Sequence, residues 1–348
     1  MKKTLFSILL LFMSICVVAQ ESRQEILKRL MDSKDSIASD RELQRLVNSD
    51  QEDQLSLAIS FYRMKNAPAK VDSLQKLAGQ KFPTGSIAYN NAIGVFSKKP
   101  NYSEKVVMAE EIKKHFQGND FTYLDRLLAI EAAKNNDCKT LKNSYNAIKE
   151  TTSGIPSIPK IVEGLLVNKT NLSDCMKEIY SELTIDYRNH LKSKLVNEEA
   201  PNFSLKDLSG KEVSLASLKG KTIILDFWAT WCGPCVNSFP GMQKAVDKYK
   251  NDSSVAFLFI NTSERGTEDP TEKLRKFIDD RNFTFDVLVD QKDKNTKKYA
   301  VSDAFQITGL PTKIIIDKNG QIRFKIIGSN DANDFIPIEI TMMVDMIK

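Results

Sequence analysis

The sequence predicts two unlike halves: a mainly α-helical stretch over residues 20–195, then an α/β stretch over 196–348 whose mixed central sheet is covered by helices on both faces. Three observations lead there. Apolar residues recur at helical spacing through the first half, where continuous strand alternation is hard to find. At Glu198-Glu199-Ala200-Pro201 the chain turns polar, meets a residue that stops a helix, and passes into short β-rich runs. Beyond that point strand patterns alternate with helical ones and finish in a hairpin.

The chain opens with Lys2-Lys3, an apolar run from Leu5 to Val18, and small residues at Val17-Val18-Ala19. That order predicts a secretory signal peptide over 1–19, cut after Ala19. The run falls short of the ~20 residues that span a bilayer, so an uncleaved anchor is the weaker reading. Lipid attachment through Cys16 is weaker too, because bulky Ile15 precedes it. The mature protein is thus expected to be soluble and exported, in a periplasm-like compartment.

Helical spacing then appears in Ile26, Leu27, Leu30 and Met31, in Val106, Val107, Ile112 and Phe116, and in Leu124, Leu127, Leu128 and Ala132. Ser103, Asn119-Asp120 and Ser173 are the candidate helix caps. Pro68, Pro83, Pro100 and the Gly154–Pro159 stretch are the expected breaks between helices.

In the second half, Phe203-Ser204-Leu205 and Val213-Ser214-Leu215 flank a turn at Ser209-Gly210 and predict a hairpin. Thr222–Phe227 is apolar on both faces, as a buried central strand should be. Then follow a helix from about Pro234 to Lys250, a strand at Val255–Ile260, a helix at Thr271–Arg281 and a strand at Phe285–Val289. A short helix near Thr296–Phe305 precedes a hairpin, Lys313–Asp317 and Gln321–Ile327 around Lys318-Asn319-Gly320, and a final helix.

Composition limits the function classes. With 41% hydrophobic and 27% charged residues, 14 Gly and 11 Pro, the chain is neither collagen-like nor disordered, and its 348 residues suggest two self-sufficient domains. The net charge of +5 comes without any basic block interleaved with aromatics, so nucleic acid is not an expected partner.

Removing Cys16 with the signal leaves Cys138, Cys175, Cys232 and Cys235, an even number that suggests pairs in an exported protein. Pairing 138 with 175 makes a structural disulfide in the helical half; two buried free thiols are the alternative. Cys232 and Cys235 form a C-x-x-C where a strand pattern gives way to a helix pattern. A cysteine at a helix start lies beside unpaired N–H groups and the positive end of the helix dipole, which favours the thiolate. Cys232 is therefore the expected nucleophile, and exposed, with Cys235 the more buried resolving thiol. An inert structural disulfide or a zinc half-site would use the same spacing. Zinc needs two further ligands, and the only histidines, His115 and His190, lie in the other half, so no metal and no other cofactor is expected.

The string Leu225-Asp226-Phe227-Trp228-Ala229-Thr230-Trp231-Cys232-Gly233-Pro234-Cys235, with Gly309-Leu310-Pro311-Thr312 downstream and the Ala200-Pro201-Asn202-Phe203 opening, resembles the thioredoxin fold. More narrowly it resembles the TlpA-like and ResA-like extracytoplasmic thiol-disulfide oxidoreductases, over about residues 197–348. The resemblance implies that Asp226 is a buried acid relaying a proton to and from the resolving thiol; a strand-end aspartate reaching solvent is the plain alternative. It also implies a cis Pro311 lying against the CxxC, with the Leu310 backbone offered to an extended substrate. An ordinary trans proline entering a strand would read the same in sequence. Trp231, Gly233 and Pro234 would complete the substrate surface, while Trp228 is explained by core packing. Relatives of the ResA type carry an acid after the CxxC, where Ser238 stands here.

The function expected from these residues is reduction, or rearrangement, of disulfides in other extracytoplasmic proteins, with electrons supplied by a membrane thiol-electron donor. Gly-Pro between the cysteines resembles thioredoxin, whose potential of about −270 mV favours reductase over oxidase. Two other readings compete. Peroxiredoxins share the fold but carry a Pro-x-x-x-Thr/Ser-x-x-Cys pattern, and Leu225 stands at its proline position. An adaptor or chaperone would bind partners through the helical half and use the redox half only for regulation.

Overall fold

The computed structural model describes residues 22–33, 35–167, 172–266, 269–293, 295–296 and 298–348. The expected signal segment, with Cys16, lies outside the described residues. Packing divides the chain into two compact units, 1–121 and 122–348. The change of character near residue 196 falls inside the second unit, so the helices between 122 and 193 belong to the same compact unit as the sheet.

The first unit has six helices among the described residues: α1 (Arg23–Asp32), α2 (Ser36–Asn48), α3 (Glu52–Met64), α4 (Pro68–Lys81), α5 (Ser86–Lys98) and α6 (Tyr102–His115). The apolar faces of α1 to α4 meet in a core that includes Leu30, Leu43, Leu46, Leu55, Ala58 and Leu74, and Ile87 of α5 packs against it. Pro68 opens α4 instead of merely breaking the chain, because the first turn of a helix has no use for its missing N–H. Ser103 lies inside α6, whose N-cap is Asn101. At α5 the Glu52 carboxylate of α3 accepts the Ser86 and Ile87 N–H groups at 2.9 and 2.7 Å. Gly85 permits that approach, since a Cβ there would come within 2.5 Å of Glu52 Oε1.

The second unit begins with α7 (Thr122–Lys134), α8 (Cys138–Ile148), α9 (Gly154–Leu166) and α10 (Asp174–Ser193). Ser173 caps α10, its hydroxyl accepting the Met176 N–H. The Gly154–Pro159 stretch, expected to separate helices, instead forms the first half of α9. Pro156 sits in the first turn, where no intrahelical bond is lost, and only Pro159 costs one. That cost is about 3 kcal/mol, whereas burying Ile158, Ile161, Val162 and Leu165 contributes about 1.5–3 kcal/mol each, so burial wins.

The sheet has eight strands: β1 (Glu198–Glu199), β2 (Ser204–Asp207), β3 (Glu212–Ser214), β4 (Thr222–Trp228), β5 (Val255–Asn261), β6 (Val287–Val289), β7 (Thr312–Ile316) and β8 (Gln321–Ile327). Between them lie α11 (Gly233–Tyr249), α12 (Thr271–Asp279) and α13 (Ala300–Ala304), and α14 (Ile336–Ile347) follows the last strand. The order is β1-β8-β7-β4-β5-β6-β2-β3. Strands β4, β5 and β6 run parallel, and β7, β8, β1, β2 and β3 join through antiparallel pairs. The short helix expected over 296–305 is confined to α13, and the strand expected from Phe285 begins at Val287.

Every residue of β4 is buried, which matches its uninterrupted apolar run. Its side chains alternate between two layers. Ile223, Leu225 and Phe227 join a cluster with Val301 and Phe305 of the α13 region and with Ile314 and Ile316 of β7. On the opposite face Trp228 meets Phe239 of α11 and Phe277 of α12, at ring-centroid distances of 5.0 and 5.5 Å. A strand period of two puts Asp226 on that same face, toward the helix that begins with the CxxC.

Candidate active site

Strand β4 ends at Trp228, and a short turn delivers Cys232 to the N-cap of α11. Its Sγ accepts the Cys235 N–H at 3.3 Å, so the sulfur faces the unpaired amide end of the helix as a stabilised thiolate would. Cys232 and Cys235 are disulfide-bonded, with Cα atoms 5.3 Å apart. The expectation of an exposed Cys232 is corrected: it is only 4% exposed, and Cys235 is fully buried. The physical reason is the cap itself, which folds the Cys232 side chain back over the first turn toward Cys235. Gly233 and Pro234 remain exposed on the outside of that turn.

Trp231, 47% exposed, forms part of the surface beside the cysteines, and its Nε1 donates to the Ser263 carbonyl at 2.8 Å. The Arg265 guanidinium lies 5.5 Å from the indole centroid. Ser263 holds a φ of +57° to aim that carbonyl. Next to it, Glu264 accepts from the Thr230 N–H at 2.6 Å, the Thr230 hydroxyl at 2.8 Å, Asn261 Nδ2 at 2.9 Å and Lys273 Nζ at 3.0 Å. Burial pushes the Glu264 carboxyl up, but those hydrogen bonds outweigh it and hold the group below its ordinary value. Glu264 therefore fastens the turn ahead of Cys232 to the end of β5. Sequence reading missed it, because nothing in the local pattern links residues 34 apart.

Asp226 is 1% exposed, and neither of its carboxyl oxygens has a hydrogen-bond partner. Burial raises its pKa to about 6, against the attraction of Lys313. Lys313, 2% exposed, is the direct cross-strand partner of Asp226 on β7. The strand-end alternative for Asp226, with its carboxyl in solvent, does not describe this environment.

The Leu310–Pro311 peptide is cis. Thr312, the first residue of β7, pairs with Phe227, which places the cis-proline at the same end of the sheet as the CxxC. Pro311 is buried and its carbonyl accepts the Gly328 N–H at 2.8 Å, while Leu310 is half-buried against the core. Ser238, at the position of the ResA-type acid, donates its hydroxyl to the Cys235 carbonyl at 2.8 Å. Trp228 is buried with Nε1 unpaired, in keeping with a packing role. Away from this site, Cys138 and Cys175 are disulfide-bonded, Cα atoms 6.2 Å apart, and join the first turns of α8 and α10.

The geometry agrees with what the chain is similar to. Residues 196–325 match the AhpC/TSA family. The thiol-disulfide oxidoreductase ResA of Bacillus cereus is 37% identical over 134 residues, 38% of this chain and 70% of ResA. The chain belongs to the ResA-like thiol-disulfide oxidoreductases. The thioredoxin-like protein YneN of Bacillus subtilis is 35% identical over 126 residues, 36% of this chain and 68% of YneN. Among solved structures, a thiol:disulfide interchange protein of the thioredoxin family from Chlorobium tepidum is 27% identical, covers 42% of this chain and 97% of its own, and has a TM-score of 0.35. As a ResA-like oxidoreductase, the protein has its thioredoxin-like fold in the C-terminal part, and the family match leaves the N-terminal half outside it.

Proposed function

We propose that this oxidoreductase acts as a reductase of disulfides in exported proteins, with Cys232 as nucleophile, Cys235 as resolving thiol and Asp226 as proton relay. The observation that carries the reading is the Cys232 sulfur at the N-cap of α11, hydrogen-bonded to the Cys235 N–H. In the reduced protein the Cys232 thiolate attacks one sulfur of the substrate disulfide, forming a mixed disulfide and expelling the other sulfur as a thiolate. Asp226, charged above a pKa of about 6, accepts the Cys235 proton. The Cys235 thiolate then attacks Cys232 Sγ and expels the second substrate sulfur as a thiolate, which takes its proton from solvent. The substrate gains two electrons, and the Cys232–Cys235 disulfide that remains is the form described above.

Trp231, Gly233, Pro234 and Leu310 supply the surface for an extended substrate chain, with the buried cis Pro311 directly behind Leu310. Residues 196–348 form the redox module, 20–195 a mainly helical accessory region, and 1–19 a cleaved signal that directs the protein out of the cytoplasm. Re-reduction outside the cytoplasm calls for a membrane thiol-electron donor. Among the described residues no helix is long and apolar enough to cross a membrane.

The AhpC/TSA match supports one rival, a thiol peroxidase. Against it, Leu225 and Ala229 occupy the positions of the proline and the Thr or Ser in the peroxidase pattern. The deciding experiment is Cys235→Ser: it should accumulate a mixed disulfide with a substrate protein, whereas Cys232→Ser should trap little. Equal trapping by both, or peroxide consumption at rates matching disulfide reduction, would overturn the assignment.

A further inference from the structure

The helix that carries the cysteines contains a proline, Pro240, and the next residue is a buried glycine. In a regular helix the Gly241 N–H is assigned to the Asn237 carbonyl. Here the side chain of Asn333, from the segment before α14, engages both groups. Its Oδ1 accepts the Gly241 N–H at 2.9 Å and its Nδ2 donates to the Asn237 carbonyl at 3.2 Å. The approach needs a glycine, since a Cβ at 241 would come within 2.8 Å of the Asn333 carbonyl and 2.7 Å of Ile336 Cδ1.

Helix α9 grips the segment that holds Asn333. Lys160 Nζ donates to the Asp331 carbonyl at 2.7 Å and pairs with the Asp331 carboxylate at 3.3 Å. Glu163, itself bonded to Lys160 at 2.9 Å, accepts the Asp334 N–H at 3.2 Å. Lys244, one turn beyond Gly241 on α11, closes the ring by pairing with Asp334 at 2.6 Å. The residues on either side of Asn333 are thus held by a helix from outside the region matched to the family, and Asn333 is inserted beside the proline of the active-site helix.

We propose that Asn333 is a positioning residue for the CxxC, and that Lys160 and Glu163 of α9 act through it, making part of the accessory helical region a support for the redox helix. The reasoning is mechanical and electrostatic. The turns before Pro240 carry both cysteines, and a proline weakens their coupling to the rest of the helix. Asn333 ties the two sides of the proline together. It thereby fixes where the Cys235 N–H and the helix N-terminus lie relative to Cys232 Sγ, which sets how well the thiolate is stabilised.

The inference rests on Cys232 being the nucleophile, and one experiment separates the two. The full-length reduced protein is alkylated with iodoacetamide across a range of pH, with the rate at Cys232 read by peptide mapping beside the thermal midpoint. Asn333→Ala should slow Cys232 alkylation several-fold at neutral pH and move the midpoint of its pH–rate curve upward. Asn333→Asp, which keeps the acceptor for Gly241 but turns a carboxylate oxygen toward the Asn237 carbonyl, should slow alkylation at least as much as the alanine variant, and Lys160→Met carries the test if the alanine variant does not fold. Lys160→Met should move the curve in the same direction, Lys160→Arg should restore it, and Lys160→Met should add nothing in the Asn333→Ala background. Asp226 on β4 and Lys313 on β7, the charged groups on the sheet beneath α11, are untouched by these changes. A pH–rate curve that stays put while only the thermal midpoint falls would overturn the inference, as would additive effects of the two positions. Wild-type protein that alkylates Cys235 as readily as Cys232 would instead overturn the assignment of the nucleophile.

Discussion

At position 226 the folded protein holds a carboxyl with no hydrogen bond to either oxygen, and that environment makes its charge expensive. The folded pKa of about 6 lies above the ordinary value of 3.8, so the folded state binds this proton more tightly than the unfolded state. Stability from this group is therefore lost as pH rises from about 4 to about 6, and is constant above. At about 1.4 kcal/mol per pH unit the full difference is about 3 kcal/mol. Asp226→Asn, which cannot ionise, should unfold at higher urea concentration than wild type at pH 7, by up to about 3 kcal/mol, and the gain should shrink as pH falls from about 6 to about 4. A difference that does not change with pH would show that the carboxyl is not the cause. On the proposed mechanism the same substitution should slow resolution of the mixed disulfide by about tenfold or more, because Cys235 would lose its proton acceptor. Stopped-flow rates with a disulfide peptide test this, and unchanged rates across the pH range would remove Asp226 from the mechanism. The burial of this carboxyl and the pairing of Cys232 with Cys235 were legible in the sequence. Glu264, Lys313 and Asn333 were not, because each acts on residues distant along the chain.

At the scale of elements, α11 shows how one helix meets several demands. Its N-cap is Cys232, its first turn accommodates Pro234, and its middle combines Pro240 with a glycine that admits Asn333. Gly241→Ala gains helix propensity in isolation, about 1 kcal/mol. In this packing the added methyl must displace the Asn333 backbone and Ile336, a clash costing about 1–3 kcal/mol, so the variant should melt at or below the wild-type temperature despite the better helix former. A clear rise in melting temperature would show that the segment yields freely. Helix α9 teaches the converse. Two prolines and a glycine read as a break, yet burial of its apolar residues imposes helix on them. Local propensity is a weak prior, and tertiary burial overrode it there.

In the second unit as a whole, α10 from ahead of the sheet is tied to α14 from beyond it by a buried polar contact as well as an aromatic one. Tyr187 of α10 donates its hydroxyl to Glu339 of α14, stacks edge-on against Phe335 at 4.9 Å, and has its pKa pushed up by burial and by that carboxylate. Tyr187→Phe leaves Glu339 short of a donor in a buried site and should cost about 1–3 kcal/mol by urea denaturation. A loss below a few tenths of a kcal/mol would mean the bond contributes nothing. Removing the Cys138–Cys175 bridge frees a closed loop spanning a sequence separation of 37 and should lower stability by about 4 kcal/mol in the chain-entropy model. Paired alanine substitutions should therefore shift the denaturation midpoint under non-reducing conditions, and an unchanged midpoint would show that the bridge is dispensable.

Periodicity and turn chemistry are local, so the sequence by itself determined the helical character of residues 23–193, the order of strands and helices from Ser204 onward, and the CxxC at a strand-to-helix junction. Tertiary structure decided what depends on residues far apart. It grouped the helices from Thr122 with the sheet, shaped the Gly154–Pro159 stretch into helix, and buried Cys232 beneath its own cap. It also set Lys313 opposite Asp226 and brought Asn333 to the proline of α11. The physical reason is that burial and hydrogen bonding are properties of a site in space, and a site assembled from β4, β7, α9, α11 and the segment before α14 has no signature in any one window of the chain.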